Sequence, residues 1–600
     1  MANSIQDKYR SDLDILKAIS IIAVVFYHIG YLETGYLGVD VFFAINGFLI
    51  IPSLIDKIAN SKFNYFDFLL RRIMRLWPLV LLAGAICLIV GFVGMLPDDY
   101  ENVSQSVIAS NFMSQNILSA LTTKDYWDVA NEYKPLMHFW YVGILIELYI
   151  FLPLVLLLIK CFVRTNCRKF INLSLCILAI LATASFVLYC HPDIPQGDKF
   201  YLLPFRLWEL ILGGLIGVAY KNGSKKWKYS VSLGWGALVT TILVLCSSLY
   251  LPYTIDRINP VSGSIVKVLS VPQSILLIST VLLTCILLFN PIKIKQTVLR
   301  NSLVSIGKMS FSIFVWHQIL LAFYRYFYSN DMTMIFVVCL WAITLIMAIL
   351  TYSTMEQKIQ STWKNFVFCC VALFVISLPA GYVYLKAGIV RDVPELEVYV
   401  NNTHKGQFAE YCDRVYSYDV DFPDNDKINV IVEGVSFGRD FANILLESQV
   451  LESINLSYIY VHDEKYKERY ANCDYLFTFS SKDDVPDYVW NSLRSNAKVF
   501  GLGTKNFGES NGVIYKNRNQ TDYFEQTIQI NPNFFAVNDK WKNQWGDYYI
   551  DLLGLSTTED GTIRVFTDDK KYISQDCRHL TQHGAIWYAR TIDWNNIFKQ

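Results

Sequence analysis

The sequence predicts two joined fold classes: a multi-pass α-helical membrane domain of about eleven transmembrane helices, and a C-terminal three-layer α/β/α domain. Three observations carry this. Of the 600 residues, 53% are hydrophobic and 17% charged, whereas a soluble chain is about a quarter charged. The net charge of zero is a cancellation: residues 391–600 hold 22 Lys+Arg against 32 Asp+Glu, and residues 1–390 hold 30 against 20. Finally, apolar runs of bilayer length stop near residue 386 and give way to short alternating β- and α-type segments.

Eleven runs approach the roughly 18–20 apolar residues that cross a bilayer as a helix. They lie at about 12–31, 37–56, 77–95, 137–159, 170–190, 204–220, 229–250, 268–289, 309–327, 333–353 and 365–386. The connections "KIANSKFNYFDFLLRRIMR", "KCFVRTNCRK", "KNGSKKWK" and "KIKQTVLRN" are basic, while "LPDDYENVSQS" and "HPDIPQGDK" are not. Lys/Arg-rich loops stay in the cytoplasm. The N-terminus is therefore expected inside, and an odd number of crossings puts residue 391 onward in the periplasm or at the cell surface. The start, "MANSIQDKYRSDLDILK", is polar and no small-residue cleavage site follows, so the first run is expected to stay as an anchor. The expected division is 1–360 for the membrane domain, 361–427 for one more helix and a linker, and 428–600 for the extracytoplasmic domain.

Ionisable residues inside such helices are costly and mark functional positions. The first span carries Asp14, Lys17 and His28. Lys17 and His28 are eleven positions apart, about 16 Å along a helix and on one face. The fourth span adds His138 and Glu147, and "PFRLWELILGG" adds Arg206 and Glu209, one turn apart and suited to pairing. His317 and Glu356 follow. In "RRIMR", Arg72 and Arg75 project together at i, i+3. They suit either a positive-inside anchor or a phosphate clamp.

The blocks "YRSDLDILKAISIIAVVFYH", "GYLGVDVFFAINGFLI", "RRIMRLWP", "PLMHFWYVGILIELY", "PFRLWELILGG" and "SIGKMSFSIFVWH", with the late Glu356, together resemble the acyltransferase-3 family across about residues 9–358. The resemblance implies transfer of an acyl group, usually acetyl from acetyl-CoA, to sugar hydroxyls outside the membrane. It maps the family's basic residue and histidine onto Lys17 and His28, and its arginine pair onto Arg72 and Arg75. His28 would be general base or transient acyl carrier, Asp14 would orient a neighbour or set the charge state of Lys17, and the arginines would hold CoA phosphates. The chain departs from the family at Lys17, where arginine is usual, at Asn46, where serine is usual, and at Leu145, with the carboxylate found instead at Glu147.

In the C-terminal part, "INVIVEGVS", "SYIYVHD", "CDYLFTFSS" and "KVFGLG" read as strands. "GRDFANILLES", "VPDYVWNSLRSN" and "HLTQHGAIWYARTIDWNNIF" read as helices. Continuous apolar strands alternating with helices predict a parallel sheet covered on both faces. Ser436 closes the first strand in "GVSFG", and Asp576 and His579 open the last helix at D-x-x-H spacing. A serine after the first strand with a late D-x-x-H resembles the SGNH (GDSL-type) esterases across roughly 428–595. The resemblance implies Ser436 as nucleophile, His579 as base and Asp576 as orienting carboxylate. It also implies Asn506 as an oxyanion-hole side chain, with a loop glycine such as Gly503 lending an N–H. Val435 stands where the family has aspartate.

A membrane part of the first kind followed by an SGNH domain occurs in bacterial O-acetyltransferases of surface polysaccharides. The expectation is thus an O-acyltransferase of the bacterial cytoplasmic membrane, moving acyl groups from acyl-CoA to O-antigen, capsule or peptidoglycan. Its partners are acyl-CoA, a glycan and membrane lipids. A glycan ester hydrolase, or a silent glycan-binding C-terminal domain, are the alternatives. No bound cofactor or metal is expected. Cys412, Cys473 and Cys577 lack metal-ligand spacing and could form one disulfide. The acidic C-terminal part disfavours nucleic acid.

Overall fold

The computed structural model describes residues 9–599 apart from 123–132, 164–165, 224–228, 252, 262, 264, 270, 330–331 and 403. Parts of two of the basic connections, 164–165 and 224–228, lie outside the described residues, as do residues 1–8 of the polar N-terminus. The membrane part is a helical bundle: α1 (Ser11–Ile29), α2 (Gly38–Ala59), α3 (Tyr65–Gly94), α4 (Pro97–Asn111), α5 (Gln115–Thr122), α6 (Trp140–Val163), α7 (Cys167–Cys190), α8 (Leu203–Gly223), α9 (Val231–Leu245), α10 (Gln273–Phe289), α11 (Val298–Lys308), α12 (Ser310–Phe327), α13 (Met334–Thr351) and α14 (Trp363–Leu385).

Each expected run overlaps a helix, although the run at 268–289 begins on a strand, Ile265–Leu269, and the helix in the run at 229–250 covers only Val231–Leu245. Among the described residues, seven helices are long and apolar enough to cross a bilayer, namely α2, α3, α6, α7, α8, α13 and α14. An eighth results if α11 and α12, bent by 72° at Met309, form one broken span. Of the other three runs, α1 carries Asp12, Asp14 and Lys17, and α9 and α10 are short, at 15 and 17 residues. Apolar side chains such as Phe162, Ile180, Val338 and Phe374 point outward from the bundle. That suits lipid contact, whereas an apolar surface of this extent is rare on a soluble monomer.

Close crossings fix the site helices. A Cβ on Gly47 of α2 would sit 1.7 Å from the Leu210 carbonyl oxygen of α8, and one on Gly307 of α11 would sit 1.8 Å from that of Asp14. Small residues at such crossings let backbones touch. The polar "LPDDYENVSQS" stretch, expected as a loop, instead forms most of α4. Pro97 opens that helix, and its inner face buries Tyr100, Val103 and Val107.

The C-terminal part is a five-stranded parallel sheet. After the hairpin β1 (Tyr253–Ile258) and β2 (Ile265–Leu269), the sheet strands are β3 (Ile428–Glu433), β4 (Ile454–Ile459), β5 (Tyr475–Thr478), β6 (Lys498–Leu502) and β7 (Tyr549–Ile550). Their order is β4-β3-β5-β6-β7. Helices α15 (Ser436–Leu446), α19 (Gln582–Thr591) and α20 (Trp594–Lys599) cover one face. Helices α16 (Lys467–Asn472), α17 (Asp487–Ser492) and α18 (Asn533–Trp545) cover the other. This is the expected three-layer arrangement. β4 starts three residues earlier than expected, and β7 has too few residues to leave a periodic signal. The last helix breaks at Ile592–Asp593 and begins only at Gln582, capped by Thr581, so Asp576 and His579 precede it on a turn.

The two parts are docked against each other. The Ser510 hydroxyl donates to the Tyr326 carbonyl of α12 at 3.0 Å, and the Gln575 amide donates to Asp98 of α4 at 2.7 Å. At the hairpin tip, Thr504 donates to the Pro260 carbonyl and Asn533 to that of Gly263. The segment after α14, expected as a linker, is packed rather than loose: Arg391 caps carbonyls at the end of α3, and the Glu395 carbonyl accepts from the Tyr572 N–H.

Candidate active site

α1 runs from the bundle face away from the C-terminal part toward it, and ends at Gly30, whose φ of 88° suits a left-handed cap. Three turns separate its two functional ends. At the far face a cavity of about 590 Å³ collects Asp14, Lys17, Arg72, Arg75 and Glu356. Lys17 Nζ lies 3.2 Å from Asp14 Oδ1, and Tyr9 donates to the other oxygen of Asp14. The Arg72 guanidinium rests on the rings of Phe68 and Tyr149, 5.4 and 5.7 Å from their centres. A π-helical turn at Tyr352–Glu356 ends α13 and brings in Glu356, which accepts from Ser312. Such turns recur at functional sites. Asn46, at the position where the family resemblance expects serine, donates to the Tyr141 hydroxyl at 2.7 Å on the cavity wall. Arg71 lies outside this cavity, so "RRIMR" divides into one outward and two inward arginines.

Val24, Tyr141 and Phe314 close the cavity on the side of the C-terminal part. One turn beyond Val24 stands His28. Its Nδ1 lies 2.8 Å from His317 Nε2, and His317 Nδ1 lies 3.0 Å from the Ile313 carbonyl. A carbonyl only accepts, so the neutral His317 ring carries its proton on Nδ1. His28 Nδ1–H then donates to His317 Nε2, which leaves His28 Nε2 as the basic nitrogen. Arg325 donates to the His28 carbonyl at 2.7 Å. His138 is buried with its ring centre 5.8 Å from that of His317. Sequence reasoning noticed His317 without giving it a role. It missed Arg325, whose only signal is a charge eight residues after that histidine on the same helix.

Other expected residues lie elsewhere. Arg206 forms a buried network with Glu209 at 3.0 Å, as its spacing predicts, and with Asp40 of α2 at 2.8 Å. This network does not line the cavity. Glu147 faces α5 and accepts from Asn116 at 2.8 Å, while Leu145 faces the cavity.

In the C-terminal part, Gly434, at φ 133°, makes the sharp turn from β3 into α15. The Tyr458 hydroxyl holds the Gly434 carbonyl at 2.6 Å, and Ser436 opens the helix. Its strand, β3, lies between β4 and β5, the point where a doubly wound sheet reverses and ligands bind. His579 Nδ1 lies 2.7 Å from Asp576 Oδ2, and the N–H groups of Arg578 and His579 donate to Asp576 Oδ1 at 3.0 and 2.8 Å. Burial raises the Asp576 pKa, but the His579 ring and these N–H groups outweigh it and hold the carboxyl well below the usual range.

The D-x-x-H turn is fastened to the serine helix by a buried ion pair. Lys505 Nζ lies 2.7 Å from Asp440 Oδ2, with side chains 0% and 1% exposed. Lys505 also donates to the Arg578 carbonyl, and the Leu580 N–H donates to Asp440 at 3.0 Å, so His579 is gripped on both sides. The Phe437 ring meets the His579 ring edge-on at 6.4 Å. Among the described residues no hydrogen bond links Ser436 to His579. Asn506 is buried with its side-chain oxygen taken by the Gly508 N–H at 2.9 Å. The Gly503 N–H donates to the Ile550 carbonyl at 2.8 Å, so sheet pairing occupies the donor expected for an oxyanion hole. Cys412, Cys473 and Cys577 are all buried free thiols.

A bundle with a cationic cavity, a histidine pair beyond it and a docked α/β domain defines a membrane-bound group-transfer protein. Residues 10–353 match the acyltransferase domain model of the acyltransferase-3 family, and the chain belongs to that family. The chain is 25% identical over 381 residues to the O-acetyltransferase OatA of Staphylococcus aureus strain NCTC 8325 / PS 47, covering 60% of this chain and 59% of that protein. It is also 25% identical over 366 residues to the putative O-acetyltransferase SAS0844 of S. aureus strain MSSA476, covering 59% and 58%. The chain thus spans about three fifths of the length of these relatives. No solved structure matches it.

Proposed function

We propose that this chain is an O-acyltransferase of the bacterial cytoplasmic membrane. It takes an acyl group, acetyl by analogy with the names of its relatives, from cytoplasmic acyl-CoA and delivers it to hydroxyls of an envelope glycan. The observation that carries the reading is the placement of a cationic cavity at one end of α1 and of the Asp576–His579 pair in a separate cavity beside the end of α12. Regular alternation of basic and non-basic connections supports eleven crossings with the N-terminus inside and the C-terminal domain outside.

On this reading Lys17, Arg72 and Arg75 hold the CoA phosphates, and the acyl thioester points past Phe314 toward His28. His28 Nε2 takes the acyl group or the proton of its acceptor. The C-terminal domain is SGNH-like, its strand order and late D-x-x-H supporting that assignment. Ser436 then carries the acyl group as an ester, with His579 as base. A second reading, favoured by the missing Ser436–His579 bond and the spent Gly503 N–H, keeps the domain as a glycan-binding adaptor.

The test is base-labile acetate on surface glycans of a deletion strain complemented with wild type, His28→Ala or Ser436→Ala at matched expression. Loss in both variants supports the relay, and loss in His28→Ala alone makes the domain an adaptor. No restoration by wild type sinks the envelope reading. In purified protein, Arg72→Ala should raise the KM for acyl-CoA about tenfold or more with kcat little changed, since a charged hydrogen bond to phosphate contributes about 1.5–3 kcal/mol. An unchanged KM would remove Arg72 from the donor site.

A further inference from the structure

Between the two parts lies a second cavity of about 380 Å³. Its floor is α4 and the end of α12, and its roof is the loop after β6 and the 575–579 turn. Asp99, Asn102 and Tyr326 face Glu509, Arg578 and His579 across it. Most of its lining residues are of polar type, and three of them are carboxylates, with Asp576 the third. The donor cavity at the other end of α1 presents four cations, Lys17, Arg72, Arg75 and Lys308, against two carboxylates, Asp14 and Glu356. The two ends thus suit opposite ligands: a phosphate-bearing thioester at one and an uncharged, hydroxyl-rich molecule at the other. Within the second cavity Asp99 is fixed. Its Oδ2 accepts from the Tyr326 hydroxyl at 2.9 Å, and that hydroxyl in turn accepts from the Leu96 N–H at 3.0 Å. One carboxylate oxygen, Oδ1, remains to receive hydroxyl protons.

We propose that this interdomain cavity is the acceptor subsite, that it takes a sugar ring with one hydroxyl directed at His579, and that Asp99, held by Tyr326, binds a neighbouring hydroxyl. The proposal rests on the reading that His579 acts on an acyl-serine. In the step it serves, the sugar oxygen bonds the acyl carbon as the bond from that carbon to Ser436 Oγ breaks. The sugar proton passes to His579 and on to the departing serine oxygen. Asp99 touches the sugar but not the acyl group, so it sets which acceptor, sugar or water, is used.

Burial, with Asp98 and Asp576 nearby, pushes Asp99 up to about 7, against the opposing Tyr326 hydrogen bond. The other charged or titratable groups lining its cavity are Tyr133, Lys134, Glu509, Arg578 and His579. Ionised Asp99 binds hydroxyls more strongly than the neutral acid does. Sugar use relative to water should therefore rise between pH 6 and 8 in the wild type and stay flat in Asp99→Asn.

The experiment uses full-length protein in nanodiscs with radiolabelled acetyl-CoA and cellobiose or N,N′-diacetylchitobiose as probes. Asp99→Asn and Tyr326→Phe should lower the ratio of sugar ester to free acetate about tenfold. An unchanged ratio overturns the subsite. Direct binding of the same disaccharides, measured by saturation-transfer NMR, does not depend on the relay. Asn102→Trp, which fills the cavity, should abolish it. Retained binding in that variant overturns the proposal, while absence of any acylated protein in wild type overturns only the relay.

Discussion

Replacing His28 with alanine is expected to reduce acyl transfer by about 10²–10⁴-fold, the range that removal of a positioned base costs. The partner should matter through orientation. His317 Nε2 receives the His28 Nδ1 proton and so fixes which nitrogen is basic. His317→Leu removes that acceptor and should also impair transfer strongly. His317→Gln offers an amide oxygen near the same place and should recover part of the rate. The measurement is acetyl transfer from labelled acetyl-CoA by purified protein, with CoA release followed separately. A His28→Ala protein that transfers at the wild-type rate would exclude the histidine from the chemistry. Equal rates in the leucine and glutamine variants would exclude the orienting role of His317.

The second large effect lies in the C-terminal domain. Lys505 and Asp440 are buried charges, and removing one partner strands the other, at a cost of about 3–5 kcal/mol. Burial already pulls the Lys505 ammonium down, with Asp440 opposing it. Lys505→Met and Asp440→Leu should each lower the unfolding midpoint. The double variant should regain most of that stability, because apolar replacements of similar volume often match a buried pair. It should not regain acylation. Both main-chain anchors of the 578–580 turn would still be missing, and His579 would lose its placement against the serine helix. Thermal unfolding and ester output, measured side by side, separate the two roles. Recovery of both together would show that the pair only packs.

What could be read from the sequence follows the strength of each local signal. The long apolar runs became helix over most of their length because intrahelical bonding satisfies a lone segment's backbone in lipid. Helix α4 escaped notice because its exposed face is acidic and polar and its buried stripe is only four turns long. In the C-terminal domain, β3 and α15 were legible from an apolar run ending at glycine, but β7 was not, because two residues carry no periodicity. Lys17 and His28 were recognisable as ionisable residues on the expected first span, and Arg72 and Arg75 as a pair just ahead of the third. Asp40, Arg325 and Asp99 were not. Each matters through a partner far away in the chain, at Arg206, His28 and Tyr326, and such pairings are invisible to spacing rules.

Helix α12 carries His317 in its middle and Tyr326 near its end, nine residues or about 13 Å further on. Tyr326 is also where the C-terminal domain rests, through Ser510 and against Gly512. A domain on a loose tether would search for the bundle at a millimolar effective concentration set by the tether's length. Here the hairpin tip and α12 replace that search with a fixed address. Acyl transfer should then be insensitive to the length of the stretch around residues 401–402 and 404–406, which are exposed, and sensitive to any change that lifts the domain from its seat.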